Sequence, residues 1–161
     1  QLTGEESRAY VQRLRAQVGA VVTGTGTALS DDPLLTVRDL PDDEQPLRVI
    51  VGDRELSNTL QLFQGHKPAI QLRTDLETAL RTLWTDHGIH KVLLEAGQGL
   101  ASAAWSMGLV DEVYWFQAPK ILGEGLQVVG DFGLSSLDDA PRFSHLDVHR
   151  VGLDLLIHFL T

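Results

Sequence analysis

Two stretches of the chain decide its fold class: LRAQVGAVVTGTGTALSDDPLLTVR, residues 14–38, and VLLEAGQGLASAAWSMGLVDEVYWFQAPKILG, residues 92–123. Each contains an apolar, strand-like segment that leads into a glycine-containing turn and then into polar groups. Proteins of the α/β class use this arrangement to bind a phosphorylated ligand at the ends of their strands. The two stretches therefore favour a small-molecule enzyme.

The composition limits what the chain can be. With 161 residues, 43% of them hydrophobic, it can bury one good core, so we expect a single domain over residues 1–161. Thirteen basic and 22 acidic residues give a net charge of -9, which would repel a nucleic-acid backbone or an anionic membrane. No apolar run approaches the roughly 20 residues that span a bilayer. The first residues lack a signal-peptide pattern, so we expect a cytoplasmic protein. The missing initiator methionine suggests that Gln1 lies inside a longer chain.

The cysteine, histidine and serine content of the chain indicates neither a metal site nor a catalytic nucleophile. The chain has no cysteine, which rules out thiolate zinc sites. His145, Asp147 and His149 would share one face of a regular strand, but the exposed polarity of a hairpin explains them better. A G-x-S-x-G nucleophile elbow does not occur. We therefore expect neither a zinc enzyme nor a serine hydrolase, and no bound metal.

The spacing of apolar residues predicts alternating strands and helices. Thr3 and Glu6 form a capping-box pattern at the start of a helix over residues 4–17. The other predicted elements are strands at 20–22, 47–51, 69–72, 91–95 and 112–118, helices from 76 to Gly88 and from 100 to 107, and a hairpin of 142–150 with 153–160. These elements predict an α/β fold with three layers, α/β/α, in which helices cover a mostly parallel sheet with an antiparallel hairpin at its C-terminal edge.

The turn that follows the strand at 91–95 is the first candidate for a ligand-binding site. Glycines between a strand and a helix let backbone N–H groups approach a phosphate at the positive end of the helix dipole. Short glycine turns also occur for steric reasons alone, so the motif is weak by itself. Glu95 stands at the carboxyl end of the strand, where open α/β sheets bind ligands; its alternative role is to cap the next helix.

The earlier turn, Gly24–Thr27, departs from the dinucleotide fingerprint G-x-G-x-x-G because Leu29 replaces the third glycine. It could still approach a cofactor through its backbone and threonine hydroxyls, with Asp31 reaching a ribose or an amide. An Asp-Asp-Pro turn is the simpler interpretation of the same residues.

Three arginines offer positive charge for a phosphate. Arg8 and Arg15 lie seven positions apart on one helix face, and Arg38 follows the glycine-containing region, so the three could converge on a dianion. From these residues alone, a solvated arginine face is the favoured interpretation.

The chain resembles the reductase domain of the bifunctional riboflavin-biosynthesis deaminase/reductase in segments that follow in the same order: LRAQ, TGTGT, LSDDP, LTVR, LLEAG, GLVDEV and APKILG. The resemblance covers residues 3–123, and the terminal hairpin agrees in architecture. It implies a dihydrofolate-reductase-like fold, a homodimer, and NADPH-dependent reduction of 5-amino-6-(5-phosphoribosylamino)uracil, in which the ribosyl group becomes a ribityl chain.

The resemblance also implies roles for individual residues. It puts Thr27 and Asp31 beside NADPH. The resemblance does not identify the proton donor; Asp31 is a candidate if it lies within hydrogen-bonding reach of the sugar through its side chain or a water. It puts the loop 97–103 against the cofactor pyrophosphate, that is, Gly97, Gln98, Gly99, Leu100, Ala101, Ser102 and Ala103. It implies contacts with the phosphorylated pyrimidine for Arg15, Leu35, Arg38 and Glu95.

The chain departs from the family pattern in several places. Ala96 stands where the family usually has a second glycine, and Asp53 stands where a serine helps to hold the cofactor. A carboxylate there would repel the NADPH 2′-phosphate unless Arg54 compensates. The family's first strand and substrate-binding loop do not precede the first helix, and the deaminase signature is absent. Two alternatives stay open: a reductase of the same fold for another pyrimidine or a pterin, and an inactive ligand-binding or dimerisation module.

Overall fold

The chain folds into alternating helices and strands, which the computed structural model describes for residues 2–65 and 67–161. The helices are α1 (Glu5–Arg15), α2 (Thr25–Asp31), α3 (Leu76–His87) and α4 (Gln98–Ser106). The strands are β1 (Ala20–Gly24), β2 (Leu47–Val51), β3 (Ile70–Leu72), β4 (Val92–Leu94), β5 (Glu112–Gln117), β6 (His145–Val151) and β7 (Asp154–Leu160). The predicted strands and hairpin are thereby confirmed, with ends that differ by a few residues.

The strands form two sheets. One is parallel, in the order β3-β2-β1-β4, and the other is antiparallel, in the order β5-β7-β6. The mixed α/β class is as predicted, but β5 joins the C-terminal hairpin instead of the parallel sheet. Among the described residues, the outer edges of β4 and β5 therefore pair with no strand.

The parallel sheet is buried on both faces, which explains why β1 and β2 are apolar almost throughout. On one face Val22 and Val49 pack with Leu83 of α3. On the other face Val21 and Ile50 pack with Leu35, Leu62 and with Ala28 of α2. The sheet is thus a rigid support, and the residues that follow its strands are held at one edge.

Helix α2 replaces the glycine turn that the sequence predicts after β1. Gly24 is its N-cap, and Asp32 ends it in the left-handed region at φ 40. Gly26 weakens the local helix preference. The helix forms because Thr25 and Ala28 are buried against the sheet, so tertiary packing overrides the propensity of the segment.

Helix α1 is not capped by the predicted capping box. Its N-cap is Gly4, without a side-chain cap from the helix itself. The carboxylate of Asp154, on β7, accepts hydrogen bonds from the Ser7 hydroxyl at 2.6 Å and from the Gly4 N–H at 2.7 Å. These two bonds, the hydroxyl first, hold the pKa of Asp154 below its ordinary value. The antiparallel sheet therefore supplies the cap of α1.

Candidate active site

The candidate site lies at the carboxyl ends of the parallel strands, where open α/β sheets bind ligands. Strand β1 leads into α2, β2 leads into Gly52 and Asp53, and β4 leads into Glu95 and α4. The site residues predicted from the sequence consequently lie at the carboxyl ends of the parallel strands or in the segments that flank these ends.

Arg15 and Glu95 form a two-pronged ion pair at this edge. Arg15 Nε donates to Glu95 Oε1 at 2.6 Å and Arg15 Nη2 donates to Oε2 at 2.8 Å. The remaining terminal nitrogen donates to the Thr36 carbonyl at 2.9 Å. Both side chains are largely shielded from solvent, with 14% and 24% exposed. The planar guanidinium fixes the carboxylate, whose oxygens keep lone pairs for a ligand hydroxyl or N–H.

The possible convergence of three arginines does not include Arg8. Its guanidinium donates to the Thr3 carbonyl at 2.8 Å, at the opposite end of α1 from Arg15. Arg38 is exposed, and its backbone N–H donates to Gln12 Oε1 at 2.8 Å. Within residues 2–65 and 67–161 the Arg38 guanidinium has no ion pair or hydrogen bond. Of these three arginines, Arg38 is therefore the one whose guanidinium is fully available for an anion.

The loop between α2 and β2 has an unusual backbone. Leu35 lies in the left-handed region at φ 54 and is only 2% exposed. Positive φ is uncommon for a residue with a bulky side chain, and it persists only where surrounding contacts determine it. The side chain of Leu35 belongs to the core, so a ligand contact at this position would come from its backbone.

Two residues that the sequence analysis missed hold this loop. The Gln45 side chain accepts from the Val37 N–H and donates to the carbonyls of Val37 and Leu40, each at 2.8 Å. Buried Arg48 donates to the Leu34 carbonyl at 3.0 Å. No sequence signal distinguishes these side chains from surface polar groups, because their partners are backbone carbonyls.

The start of α4 provides free backbone donors. Its N-cap, Gly97, has an extended backbone, and no side chain of the described residues caps the helix. The Gly97 N–H donates to Thr27 Oγ1 at 3.0 Å, which links the predicted threonine to the predicted loop. A Cβ at Gly99 would meet nothing within 4 Å. The first turn of α4 is thus open to a ligand.

The rest of the loop 97–103 forms the first turns of α4. The Ser102 hydroxyl donates to the Gln98 carbonyl at 2.7 Å and accepts from the Gly130 N–H at 2.8 Å. Leu100 lies beside Gly24, since a Cβ at that glycine would be 3.7 Å from its side chain. The segment that follows β5 therefore contacts α4 next to the open turn.

The two predicted aspartates lie apart from the Arg15–Glu95 pair. Asp31 is the last residue of α2 and is exposed. Asp53 follows Gly52, whose φ is 124, and its backbone carbonyl accepts from Arg73 Nη1 at 3.4 Å. Within the described residues, neither carboxylate makes a hydrogen bond or an ion pair with another predicted site residue, so the fold groups these residues through the Arg15–Glu95 ion pair and the Thr27 contact.

A third cluster was not predicted. Glu112 Oε1 accepts the Tyr114 hydroxyl at 2.6 Å and is 2.7 Å from His158 Nε2. The ring of Tyr114 stacks on that of His158 at 4.5 Å. Burial, followed by the Glu112 hydrogen bond, raises the pKa of Tyr114, and the Tyr114 hydroxyl lowers the pKa of Glu112. The cluster begins at the amino end of β5 and ties that strand to β7.

The structure offers no sign of a metal centre in the part of the chain that it describes. His145 lies 2.7 Å from Asp147 on β6, but no three potential ligands of the described ranges are grouped for a metal ion. None of the helices in these ranges combines the length and apolar character needed to cross a membrane.

Comparison with known proteins identifies the family of this arrangement. The family model described as "RibD C-terminal domain" matches residues 1–157. The riboflavin biosynthesis protein RibD of Mycobacterium tuberculosis (strain CDC 1551 / Oshkosh) is 34% identical over 164 residues, which cover 99% of this chain and 48% of that protein. The chain thus spans about half the length of this curated relative.

Solved structures agree with the sequence comparison. Acinetobacter baumannii RibD has a TM-score of 0.87 and 31% identity, covering 99% of this chain and 51% of that one. A Thermotoga maritima protein has a TM-score of 0.78 and 27% identity, covering 98% and 49%. It is described as a diaminohydroxyphosphoribosylaminopyrimidine deaminase/5-amino-6-(5-phosphoribosylamino)uracil reductase. The resemblance drawn from the sequence is confirmed: the chain belongs to the RibD C-terminal domain family.

Proposed function

We propose that the chain is an NADPH-dependent reductase of riboflavin biosynthesis, which converts 5-amino-6-(5-phosphoribosylamino)uracil into its ribitylamino product. The observation that carries the proposal is the Glu95 carboxylate, held by Arg15 at 2.6 and 2.8 Å directly before the open start of α4. The Glu95 carboxylate, which can accept hydrogen bonds from a sugar or a pyrimidine, is thus next to the free backbone N–H groups of α4, which can donate to an anionic cofactor. Membership of the RibD C-terminal domain family supports the same assignment.

The chemistry of the donor set fits a dinucleotide. The uncapped N–H groups at the start of α4 and the positive end of its dipole suit a pyrophosphate. Gly99 leaves the space that a close approach of backbone to phosphate requires. Thr27 supplies a hydroxyl next to Gly97, and Gln98 to Ala103 form the wall of the site. When bound there, NADPH supplies the hydride.

The NADPH 2′-phosphate would lie near Asp53 by the family pattern, and two arginines are available to compensate for that carboxylate. Arg54 is the next residue, and Arg73 donates to the Asp53 backbone carbonyl. Arginines that accommodate the 2′-phosphate are the usual means of selecting NADPH over NADH. The Asp53 carboxylate reduces the preference for NADPH over NADH, because it would favour a ribose without a 2′-phosphate.

Residues other than those assigned to the cofactor would hold the substrate. Glu95 accepts hydrogen bonds from the sugar or the pyrimidine, and the backbone of Leu35 forms part of the wall. Arg38 binds the phosphate, because Arg8 and Arg15 are engaged elsewhere. The proton for the opened sugar would come from solvent water, with Asp31, exposed at the end of α2, as the candidate group to relay it. Alignment of donor and acceptor supplies the rest of the rate enhancement.

We also propose a homodimer through the outer face of the antiparallel sheet. Trp115, Leu146, Val148 and Leu155 lie on that face by their strand register and are 38 to 58% exposed. An exposed apolar patch that crosses three strands is typical of a protein interface.

The proposal is tested by measuring NADPH oxidation by the chain with the phosphoribosylamino-pyrimidine as substrate, and NADH is used in parallel. Arg38→Ala is compared with Arg81→Ala, which removes an exposed arginine of α3. Loss of hydrogen bonds to a charged group costs about 1.5 to 3 kcal/mol, so we expect kcat/KM to fall by roughly 10- to 150-fold for Arg38→Ala only.

Two outcomes would contradict the proposal. Equal turnover of the phosphorylated and dephosphorylated substrates would assign the site to another pyrimidine or a pterin. Nucleotide binding without turnover would leave a ligand-binding or dimerisation module.

A further inference from the structure

The segment of residues 33–40, in the loop between α2 and β2, contains Leu35 and Arg38 but belongs to no helix or strand. Within residues 2–65 and 67–161 it makes no backbone–backbone hydrogen bond. Positive φ occurs at three non-glycine residues of these ranges, and all of them lie in or directly before the segment: Asp32, Leu35 and Asp39, at 40, 54 and 61. A backbone of this kind persists only where its surroundings determine it. The segment therefore depends on contacts from other parts of the chain.

Side chains from outside the segment hold its backbone. Six hydrogen bonds of 2.8 to 3.0 Å reach its N–H and C=O groups, and they come from four side chains: those of Gln12, Arg15, Gln45 and Arg48. Gln45 makes three of the six. It is held in turn, since Lys67 Nζ donates to the Gln45 carbonyl at 2.6 Å. Gln45 is therefore the main support of the segment.

The side-chain amide of Gln45 binds Val37 in the way that a neighbouring strand would. Its Oε1 accepts from the Val37 N–H and its Nε2 donates to the Val37 carbonyl, as in a hydrogen-bonded residue pair of an antiparallel sheet. Nε2 also donates to the Leu40 carbonyl. These partners need one acceptor and two donors on a single group, which an amide provides and a carboxylate of the same size does not. The residue type at position 45 is thus matched to its partners.

The peptide group that precedes the Arg38 side chain is held at both of its polar atoms. Its C=O, from Val37, accepts from Gln45, and its N–H, from Arg38, donates to Gln12 Oε1, each at 2.8 Å. Val37 is buried, whereas Arg38 is exposed. A ligand-binding group on a fixed backbone loses less conformational entropy when it binds. Gln45 can therefore set the position of Arg38 without a contact to the ligand.

The same segment is tied to the Arg15–Glu95 pair. Arg15 Nη1 donates to the Thr36 carbonyl at 2.9 Å, while its other two nitrogens bind the Glu95 carboxylate. Thr36 is the neighbour of Val37, so the backbone of Arg38 and the carboxylate of Glu95 belong to one hydrogen-bonded frame. A frame of this kind fixes the separation between an anion bound at Arg38 and a hydroxyl or N–H bound at Glu95.

We propose that Gln45 is a positioning residue for phosphate recognition, which holds Arg38 at a fixed separation from Glu95 so that the site selects a phosphorylated substrate. The inference rests on the proposed function, because it takes Arg38 as the group that binds the phosphate. Gln45 acts through the backbone of Val37 and Arg38.

The replacement Gln45→Glu tests the proposal, because it keeps the size and an acceptor oxygen but removes both donors and places negative charge beside two carbonyls. We expect kcat/KM for the phosphoribosylamino-pyrimidine to fall roughly 10- to 100-fold, as the misplacement of a binding group does. The same replacement in the Arg38→Ala background should cost little more, because the two residues act as a unit. The matched control is Gln64→Ala, which removes an amide that donates to the Asn58 carbonyl at 2.7 Å in another loop and should leave kcat/KM unchanged.

Two results would overturn the proposal. One is a wild-type kcat/KM in Gln45→Glu, and the other is an equal loss in the Arg38 and Arg38→Ala backgrounds, which would assign Gln45 a structural role only. Failure of the proposed function gives a different result, namely no turnover by the wild type or turnover that Arg38→Ala leaves intact, and it would remove the basis of the inference. If Gln45→Glu fails to fold, as circular dichroism would show, Gln12→Ala decides by the same criterion. Alanine favours the helix α1, and this replacement removes the acceptor of the Arg38 N–H.

Discussion

The ion pair Arg15–Glu95 is expected to stabilise the fold far more than a surface pair of the same chemistry. The chain contains its own control: Arg81–Glu77 on α3 is also an arginine–glutamate pair, at 2.8 Å, but its side chains are 69% and 50% exposed. Two charges about 4 Å apart attract by about 1 kcal/mol in water and by about 4 kcal/mol at a partly shielded site. Desolvation offsets part of the larger value.

Double-mutant cycles measure the two couplings. Each partner is replaced by alanine singly and together, and the free energy of unfolding is taken from urea denaturation. We expect a coupling of about 1.5 to 3 kcal/mol for Arg15–Glu95, the range of hydrogen bonds to charged groups, against about 0.3 to 0.5 kcal/mol for Arg81–Glu77. Added salt should reduce the exposed coupling more strongly. Equal couplings in the two cycles would refute the claim that shielding at the sheet edge fixes Glu95.

Three further predictions concern the cofactor, the helix cap and the dimer. Asp53→Ser should lower the KM for NADPH several-fold and leave that for NADH nearly unchanged, as steady-state kinetics would show. Asp154 contributes stability in full above the ordinary aspartate pKa of about 3.9 and loses it as the pH falls through the lower pKa of the folded protein. Urea titrations should therefore show that the free energy of unfolding of the wild type exceeds that of Asp154→Asn by an amount that shrinks as the pH falls. A difference that does not change with pH would contradict the role of the Asp154 carboxylate as acceptor for Ser7 and Gly4. Val148→Glu should convert a dimer to a monomer in light scattering; an unchanged mass would exclude the outer sheet face as the interface.

The fold class could be predicted because its evidence is local. Apolar runs bounded by turn residues predicted β1 and β2, and periodic apolar positions predicted α3 with its stop at Gly88. Helix α2 could not be predicted, because burial of Thr25 and Ala28 outweighs the weak helix preference of its glycine.

The contacts that hold the site could not be predicted, because they join distant parts of the chain. Arg15 and Glu95 are 80 positions apart, and Ser7 and Asp154 are 147 apart. Proximity of this kind follows from the sheet order and not from spacing. Family resemblance assigned Arg15 and Glu95 to the same site. In contrast, no signal in the sequence indicated that Asp154 of β7, and not Thr3, would interact with the start of α1.

The unpaired edges of β4 and β5 also affect how the protein behaves in solution. Exposed strand edges are templates for pairing with other chains, and natural proteins normally blunt them with charges, prolines or covering segments. Here the outer edges of β4 and β5 pair with no strand of the described residues, and the cleft that borders both strands has a largely apolar lining. Association of the 161-residue chain through these edges should therefore increase as its concentration rises.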